Sequence, residues 1–548
     1  MSLLLILPLA LPLGLGAWLF ARSEMPLRQQ RRLSLIGTLG QLAAAVGLLA
    51  LSAEGQIAAT LIGDWPVPYG IVLAADRLSA LMLTLTSALA LAAITHLSLS
   101  PGGAEQSGRH LHALLQLQLF GLAGAFLTAD LFNLFVFFEV LLIASYGLLV
   151  QGGGAARSRA ALHYVVLNMI GSSLFLMGVA SLYAVAGSLS LAVLSERLPE
   201  LAPAQAPLAG AGLLLLTGAF ALKAALVPLH AWLVPAYSAA LAPVAALFAI
   251  MTKVGVYALL RLFALMPIGD ALSDAAVAER LLARLPIQTV IATGALLTLA
   301  VGAIGVVAAA ELRAMTAYLI LVSVGTLLAG VAVGTAEGIA AGLYYLIHTT
   351  LVTAGLFLLI DVISQGRERG SWLQPAQQPP AAAWLGALFL LGAMAIAGLP
   401  PLSGFVGKAL ILEAVQSAGA EVSGPGSGAG SGPDWMLSWI AVLGSSLLVV
   451  IGLSRAGIAI FWQGPPSTST ASGRSAHAPA ATALLAASPL LALFAAPIAS
   501  YTQSLALQLL DGEDYIMAIR GLEPVDTPSA ATEGMTEGIA EPFHGGPP

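Results

Sequence analysis

Phe220-Ala-Leu-Lys223-Ala-Ala-Leu-Val-Pro228-Leu-His230-Ala-Trp232 sets a lysine five residues ahead of a proline, inside an apolar stretch that begins near residue 208. Proline has no N–H and crowds the carbonyl four residues back, which frees the Ala224 oxygen beside the lysine. Unpaired backbone at membrane depth is tolerated only against protein or water, so a break next to an ammonium indicates a hydrated pocket. A kink used for packing is the alternative, and it leaves the lysine unexplained. That lysine is expensive: an ammonium at the bilayer centre costs roughly 3 kcal/mol on insertion scales. Of the 21 basic residues only three are lysines, Lys223, Lys253 and Lys408, and each lies inside an apolar helical stretch. The arginines meet the ordinary need for basic loop residues. The lysines are left for moving protons or ions within the membrane.

Composition agrees. Hydrophobic residues make up 58% of the 548, charged residues 9%, and mean hydropathy is +0.92. A soluble domain carries about 25% charge, so the chain reads as an all-α polytopic membrane protein in the lipid bilayer. The net charge of −6 is small and dispersed, which argues against nucleic acid. With no cysteine, disulfides, thiolate chemistry and cysteine-ligated iron–sulfur clusters are excluded. The first 20 residues are long enough to span and the basic segment follows them, as in a retained first helix and not a cleavable signal peptide.

At about 20 residues per span, the apolar runs predict fourteen transmembrane helices. They lie near 2–21, 34–54, 71–96, 111–128, 130–150, 162–186, 208–229, 238–262, 285–309, 314–334, 338–363, 383–420 (interrupted), 436–461 and 480–508. Loops after odd-numbered helices hold Arg22, Arg28, Arg31, Arg32, Arg109, Arg157, Arg159, Arg313, Arg367, Arg369 and Arg474. Loops after even-numbered helices hold Arg197, Arg280 and Arg284, with Arg261 at a helix end, and several carboxylates. The positive-inside rule then puts both termini outside, in the periplasm of a bacterium.

Leu162-His163-Tyr164 opens the sixth helix and Leu343-Tyr344-Tyr345 the eleventh, and the seventh and twelfth each carry a lysine and a proline break. Units five helices apart have opposite topology, as in transporters built from inverted repeats. The organisation expected is N-terminal helices 1–3 (1–110), a first five-helix repeat (111–262), a second (285–462), helix 14 (480–508) and a flexible acidic tail (509–548). A Gly/Ser linker occupies 424–432.

Glu139 lies about nine residues from either end of its helix, flanked by Phe137, Phe138, Val140 and Leu141. Lys223 is the obvious counter-charge, and a structural ion pair locking two helices is the alternative use. Lys253, in Ala249-Ile-Met-Thr252-Lys253-Val-Gly-Val-Tyr257, is about as far from the hairpin near 234–238 as Lys223, so the two share a depth. Lys408 follows the break Gly398-Leu-Pro400-Pro401, seven residues and two turns past Pro401, and the consecutive prolines free the carbonyls of Ile396 and Ala397. His348 sits mid-helix, between the central and distal lysines in chain order, where it either relays protons or packs as a satisfied core histidine. His230, His163, Thr252 and Tyr345 are accessory candidates. His96, His110 and His112 read as interfacial, Asp76 and Arg77 as an interface anchor, and Ser172-Ser173 as helix packing. No Gly-rich phosphate loop, metal-ligand cluster or nucleophile–base arrangement is present, so neither cofactor nor metal is expected, and transport is favoured over catalysis.

With these residues in place, the chain resembles the antiporter-like family shared by respiratory complex I and the Mrp-type multisubunit cation/proton antiporters. The resemblance covers roughly 70–465. It is carried by Pro228-Leu-His-Ala-Trp-Leu, by Thr252-Lys253-Val-Gly-Val-Tyr-Ala-Leu-Leu-Arg261, and by Leu127-Thr-Ala-Asp-Leu-Phe-Asn-Leu-Phe-Val-Phe-Phe-Glu139-Val-Leu-Leu-Ile-Ala-Ser-Tyr146, which is most similar to the D-type subunit of the Mrp antiporters. It implies a fourteen-helix fold with inverted five-helix repeats and discontinuous helices 7 and 12. It further implies that Glu139 and Lys223 form an ion pair, Lys253 is the central proton carrier, His348 the bridging histidine and Lys408 the terminal lysine. Departures are Val234-Pro235-Ala236-Tyr237, where members often carry acid or histidine, and a tenth helix, Ala317 to Gly325, without the histidine some members have. Lysine at 408, and the lack of a long amphipathic helix after the fourteenth, argue against two of the complex I members.

The expected function is thus the proton arm of Mrp-type Na⁺ or K⁺/H⁺ antiport in a bacterial inner membrane, working with the other subunits of that complex. A proton-pumping subunit of a complex I-like redox enzyme, driven by a flavin/iron–sulfur partner, is the alternative, and a scaffold with inert ion pairs a third reading. No cluster of carboxylates and carbonyls marks a Na⁺ site.

Overall fold

The computed structural model describes residues 2–63, 65, 70–99, 108, 110–266, 285, 287–422, 435–466 and 478–522. The expected 424–432 linker, His477, His544 and 523–548 lie outside the described residues. α1 (Ser2–Ala21) and α2 (Leu27–Ala53) lead into an antiparallel hairpin, β1 (Ala58–Ile62) and β2 (Ile71–Ala75). There follow α3 (Arg77–Leu99), α4 (Leu111–Leu127), α5 (Leu131–Val150), α6 (Ala155–Ala186), α7 (Leu191–Arg197), α8 (Ala206–Lys223), α9 (Leu233–Ala239), α10 (Ala242–Phe248) and α11 (Met251–Leu265). The second half holds α12 (Ile287–Ala308), α13 (Leu312–Val331), α14 (Ala336–Gln365), α15 (Ala382–Ala397), α16 (Ser403–Val422), α17 (Trp435–Phe461), α18 (Pro479–Leu493), α19 (Ala495–Asp511) and α20 (Glu513–Arg520).

The chain is a multi-pass, nearly all-helical membrane protein. Among the described residues eleven helices are long and apolar enough to cross a bilayer, α10 and α11 together supplying one, and twelve if α18 and α19 form one bent span. Leu111–Leu127 and Ala382–Ala397 are shorter apolar helices.

Four local differences from the sequence reading stand out, and the first three have identifiable causes. Residues 71–75 form a strand where a helix was expected, because Ile71 and Val72 open a run that suits a pleated, half-buried surface. Asp76 then caps α3 by accepting from the Ser79 amide at 2.9 Å. The span expected at 480–508 bends by 86° between α18 and α19. Pro497 cannot donate to the Leu493 carbonyl and crowds it, so one helix ends there and another starts. The tail is helical over its first residues: after Gly512, in the left-handed conformation, α20 carries Glu513 and Asp514 in its first turn and Arg520 in its last, and buries Tyr515 and Ile519. Finally, the helix expected at 238–262 is interrupted between α10 and α11.

α14 is the central helix, packed against α10, α13, α16, α18 and α19. Almost all of α11, α13 and α14 is buried, whereas α6 and α17 keep bare apolar faces that include Met169, Met177, Ile440 and Leu447. Lys253 and His348 sit on two of these interior helices.

Candidate functional site

Lys223 is the last residue of α8 and is buried. Beyond it Ala225 takes a left-handed φ of 60°, which costs an alanine about 1 kcal/mol or more, and the helix cannot continue. The loosened backbone is re-satisfied by side chains: the Trp232 indole donates to the Leu222 carbonyl at 3.0 Å, and the Val227 amide donates to Thr298 Oγ1 at 2.9 Å. Lys223 Nζ donates to Asn168 Oδ1 at 3.1 Å and lies 5.9 Å from the Phe138 ring centre. Phe138, Tyr164, Asn168, Lys223 and Trp232 line a cavity of about 10 Å³, the space of a single water.

Glu139, half-buried on α5, accepts from the Ser172 hydroxyl. The direct Glu139–Lys223 ion pair is therefore absent among the described residues, because each partner is held by a neutral group of α6 instead. The two charges face each other through Asn168 and Ser172, four residues apart on α6. The sequence assigns Ser172 to helix packing and does not single out Asn168, because Asn or Ser in an apolar helix usually serves packing.

Lys253 is fully buried on α11, and its Nζ has no hydrogen-bond partner among the described residues; the neighbouring Thr252 hydroxyl has none either. Gly255, two residues on, lets α11 press against the end of α8. A Cβ there would lie 2.8 Å from the Phe220 carbonyl oxygen and from the Lys223 carbonyl carbon, and nearer still to the Ala224 nitrogen. Gly255→Ala is expected to wedge the two lysine-bearing helices apart at about 1–3 kcal/mol, with a matching loss of flux. Thermal unfolding of the assembled complex, read beside transport, checks this; an unchanged midpoint would show that the helices have room.

On α14, His348 is fully buried and its Nδ1 is 2.7 Å from the Ser403 hydroxyl, which is 2.9 Å from that of Ser488. Its Nε2 has no partner among the described residues. Tyr345 is buried one turn earlier, with its ring centre 5.7 Å from the imidazole and its hydroxyl beside those of Ser323 and Thr326 of α13. Lys408 Nζ donates to the carbonyls of Ile396 at 3.3 Å and Ala397 at 2.8 Å, and to Ser446 Oγ at 2.8 Å. Those carbonyls are the pair that Pro400 and Pro401 deprive of helical donors. Gly404 admits the imidazole: a Cβ there would be 2.8 Å from Nε2.

The accessory candidates separate. His163 is exposed on α6, and His230 is half-buried in the loop carrying Pro228 with its Nδ1 unpaired, so neither is brought into the buried set. His96 is not interfacial: it is buried, 3.1 Å from Asp361, which also meets Arg313 at 3.2 Å and Gln365 at 2.8 Å. His112 is buried as well, and His110 stacks on Phe20. Arg261, counted as a charge at a helix end, is instead paired in the interior with Asp76 through two contacts of 2.7 and 2.9 Å. Among the described residues no group of three or more His, Asp or Glu could hold a metal ion.

The arrangement is a series of buried bases spread over α8, α11, α14 and α16, held by neutral groups except for Lys253, which has no hydrogen-bond partner among the described residues, and interleaved with hydroxyls. Such groups can take up and release a proton locally without a metal. Known proteins are similar to this chain. The family described as NADH:quinone oxidoreductase/Mrp antiporter, TM matches residues 128–423. The chain is 40% identical over 484 residues to the D-type subunit of a probable K(+)/H(+) antiporter of Rhizobium meliloti (strain 1021), covering 84% of this chain and 87% of that one. It is 37% identical over 462 residues to the D-type subunit of a Na(+)/H(+) antiporter of Bacillus subtilis (strain 168), again covering 84% and 87%. A chain of the Mrp complex from Dietzia sp. DQ12-45-1b matches with a TM-score of 0.79 and 27% identity over 95% of this chain and 100% of that chain. A chain of respiratory complex I from Thermus thermophilus matches with a TM-score of 0.74 at 24% identity, covering 92% and 99%, a likeness of fold alone. The chain belongs to the NADH:quinone oxidoreductase/Mrp antiporter transmembrane family, and these two relatives within it are D-type antiporter subunits.

Proposed function

We propose that this chain is the proton-translocating subunit of a multisubunit monovalent cation (Na⁺ or K⁺)/H⁺ antiporter in a bacterial inner membrane, with both termini periplasmic. The observation that carries it is that all three lysines are buried within the helical bundle and none has a carboxylate in contact among the described residues. Charge without a counter-charge in direct contact at membrane depth costs stability and is kept for what it does. Protons enter beside Glu139 and Lys223, pass through Lys253 and His348, and leave near Lys408. Protonation of one base disfavours protonation of the next, and this repulsion couples successive sites. The remaining subunits of an Mrp-type complex supply the cation path. A redox-driven pump shares the fold, but the relatives at 37% and 40% identity are named as antiporter subunits, which favours antiport.

The test is ΔpH in inverted vesicles from an antiporter-deficient host expressing the chain with its neighbouring genes. Respiration acidifies the lumen, and a Na⁺ or K⁺ pulse follows. A rapid cation-dependent loss of ΔpH, absent in Lys223→Ala at equal assembly, is expected. Wild-type exchange in that variant sinks the relay, and no response from an assembled wild-type complex points to the redox-driven pump.

A further inference from the structure

The N-terminal helices α1, α2 and α4 enclose a polar seam that the lysine series does not use. Gln30, Ser34, Thr38 and Gln41 recur at spacings of four, four and three, so they form one face of α2, and all four are buried. Gln116 of α4, also buried, donates from Nε2 to Thr38 Oγ1 at 3.1 Å and to the Ser34 carbonyl at 3.4 Å. Gln41 Nε2 donates at 3.1 Å to the carbonyl of Pro8, an oxygen without its helical donor because Pro12 follows four residues later. Only an amide NH₂ can meet a backbone carbonyl, so in both glutamines the oxygen is the atom left over. Gln41 Oε1, Gln116 Oε1 and Ser34 Oγ have no partner among the described residues.

A buried acceptor left empty costs about 1–3 kcal/mol, and three in one seam call for an occupant that donates or is positively charged. The seam's own side chains are amides and hydroxyls with no carboxylate among them, so the lining suits water or a small monovalent cation and not a divalent ion. The seam starts in the first turn of α2, beside Arg28, Arg31 and Arg32, and Gln41 is about 16 Å further along, roughly half of the ~30 Å hydrocarbon core. We propose that the α2–α4 seam is a hydrated access site that admits water and small cations from the arginine-bearing face to mid-membrane, its empty acceptors, and not the arginines at its mouth, disfavouring anions within it. It is built on helices other than those that carry the lysines and provides a second polar entry.

The chain contains no cysteine, so a single introduced thiol reports on one position. Ser34→Cys, Thr38→Cys and Ala45→Cys, the last on a buried apolar part of α2, are assembled into the complex in vesicles. Cationic and anionic methanethiosulfonates of similar size are then added from the arginine-bearing face, and labelling is read from the mass of this chain. The thiols at 34 and 38 are expected to react about tenfold faster than the one at 45, the factor that corresponds to 1.4 kcal/mol, and the cationic reagent to outpace the anionic one. Gln116→Leu should remove that advantage. Equal, slow labelling at all three positions, with every thiol reactive after denaturation, overturns the proposal, as does equal reaction with both reagents. Protection by Na⁺ or K⁺ assigns the seam to a cation, and labelling indifferent to both assigns it to water. Because labelling needs no antiport, the result stands apart from the transport test above.

Discussion

Lys253→Met is expected to abolish exchange while raising the stability of the assembled complex. The ammonium is fully buried and has no hydrogen-bond partner among the described residues, so it contributes a desolvation penalty with nothing to offset it. Methionine fills a similar volume without a strongly polar atom. Relief of one unsatisfied buried group is worth about 1–3 kcal/mol. Flux should nevertheless fall to the background of an empty host, since no other base on α11 between Met251 and Leu265 can take its place except Arg261, which is already paired. The opposed signs give the experiment its power. A scaffold of inert charges predicts a gain in stability at unchanged flux, and a lysine held by an ion pair predicts a loss of both. Vesicle ΔpH and the thermal midpoint, measured on one preparation, separate the three outcomes.

The sequence made the class and the charged residues legible for plain reasons. Lysines are conspicuous where insertion is costly, and Pro228 and Pro400-Pro401 announce breaks because a proline cannot complete a helical hydrogen bond. The break between α10 and α11 gave no such notice. Ala249 and Ile250 are ordinary helix residues, and nothing in their local sequence marks the interruption between Phe248 and Met251. The partners of the charges were equally hidden. Asn168 and Ser172 matter because α6 crosses both α5 and α8, and Ser403 and Ser446 because α16 and α17 bring them to His348 and Lys408. None of these crossings can be read from a local pattern. Arg261 misled for a related reason: its charge counts towards topology only if it faces water, and here it is paired 185 residues away in the chain.

That pairing sets up the other large effect. Asp76→Ala is expected to destabilise the chain by about 3–5 kcal/mol, because it leaves a buried guanidinium without its counter-charge. Arg261 keeps only neutral contacts after the change: Ser79 Oγ at 3.2 Å, Tyr257 OH at 3.4 Å, and the Tyr515 ring 4.6 Å away. The Ser79 amide also loses the carboxylate that caps α3. Because Arg261 lies two turns beyond Lys253 on α11, the damage should reach transport through lost assembly. The double variant Asp76→Leu with Arg261→Met removes both charges and is expected to recover most of the stability, since well-packed apolar residues often replace a buried pair at little cost. Flux per assembled complex then decides the role of the pair. If it returns with stability, the pair only holds α3 to α11. If the double variant folds and assembles yet stays inactive, Asp76 and Arg261 take part in proton transfer, and the relay extends beyond the lysines.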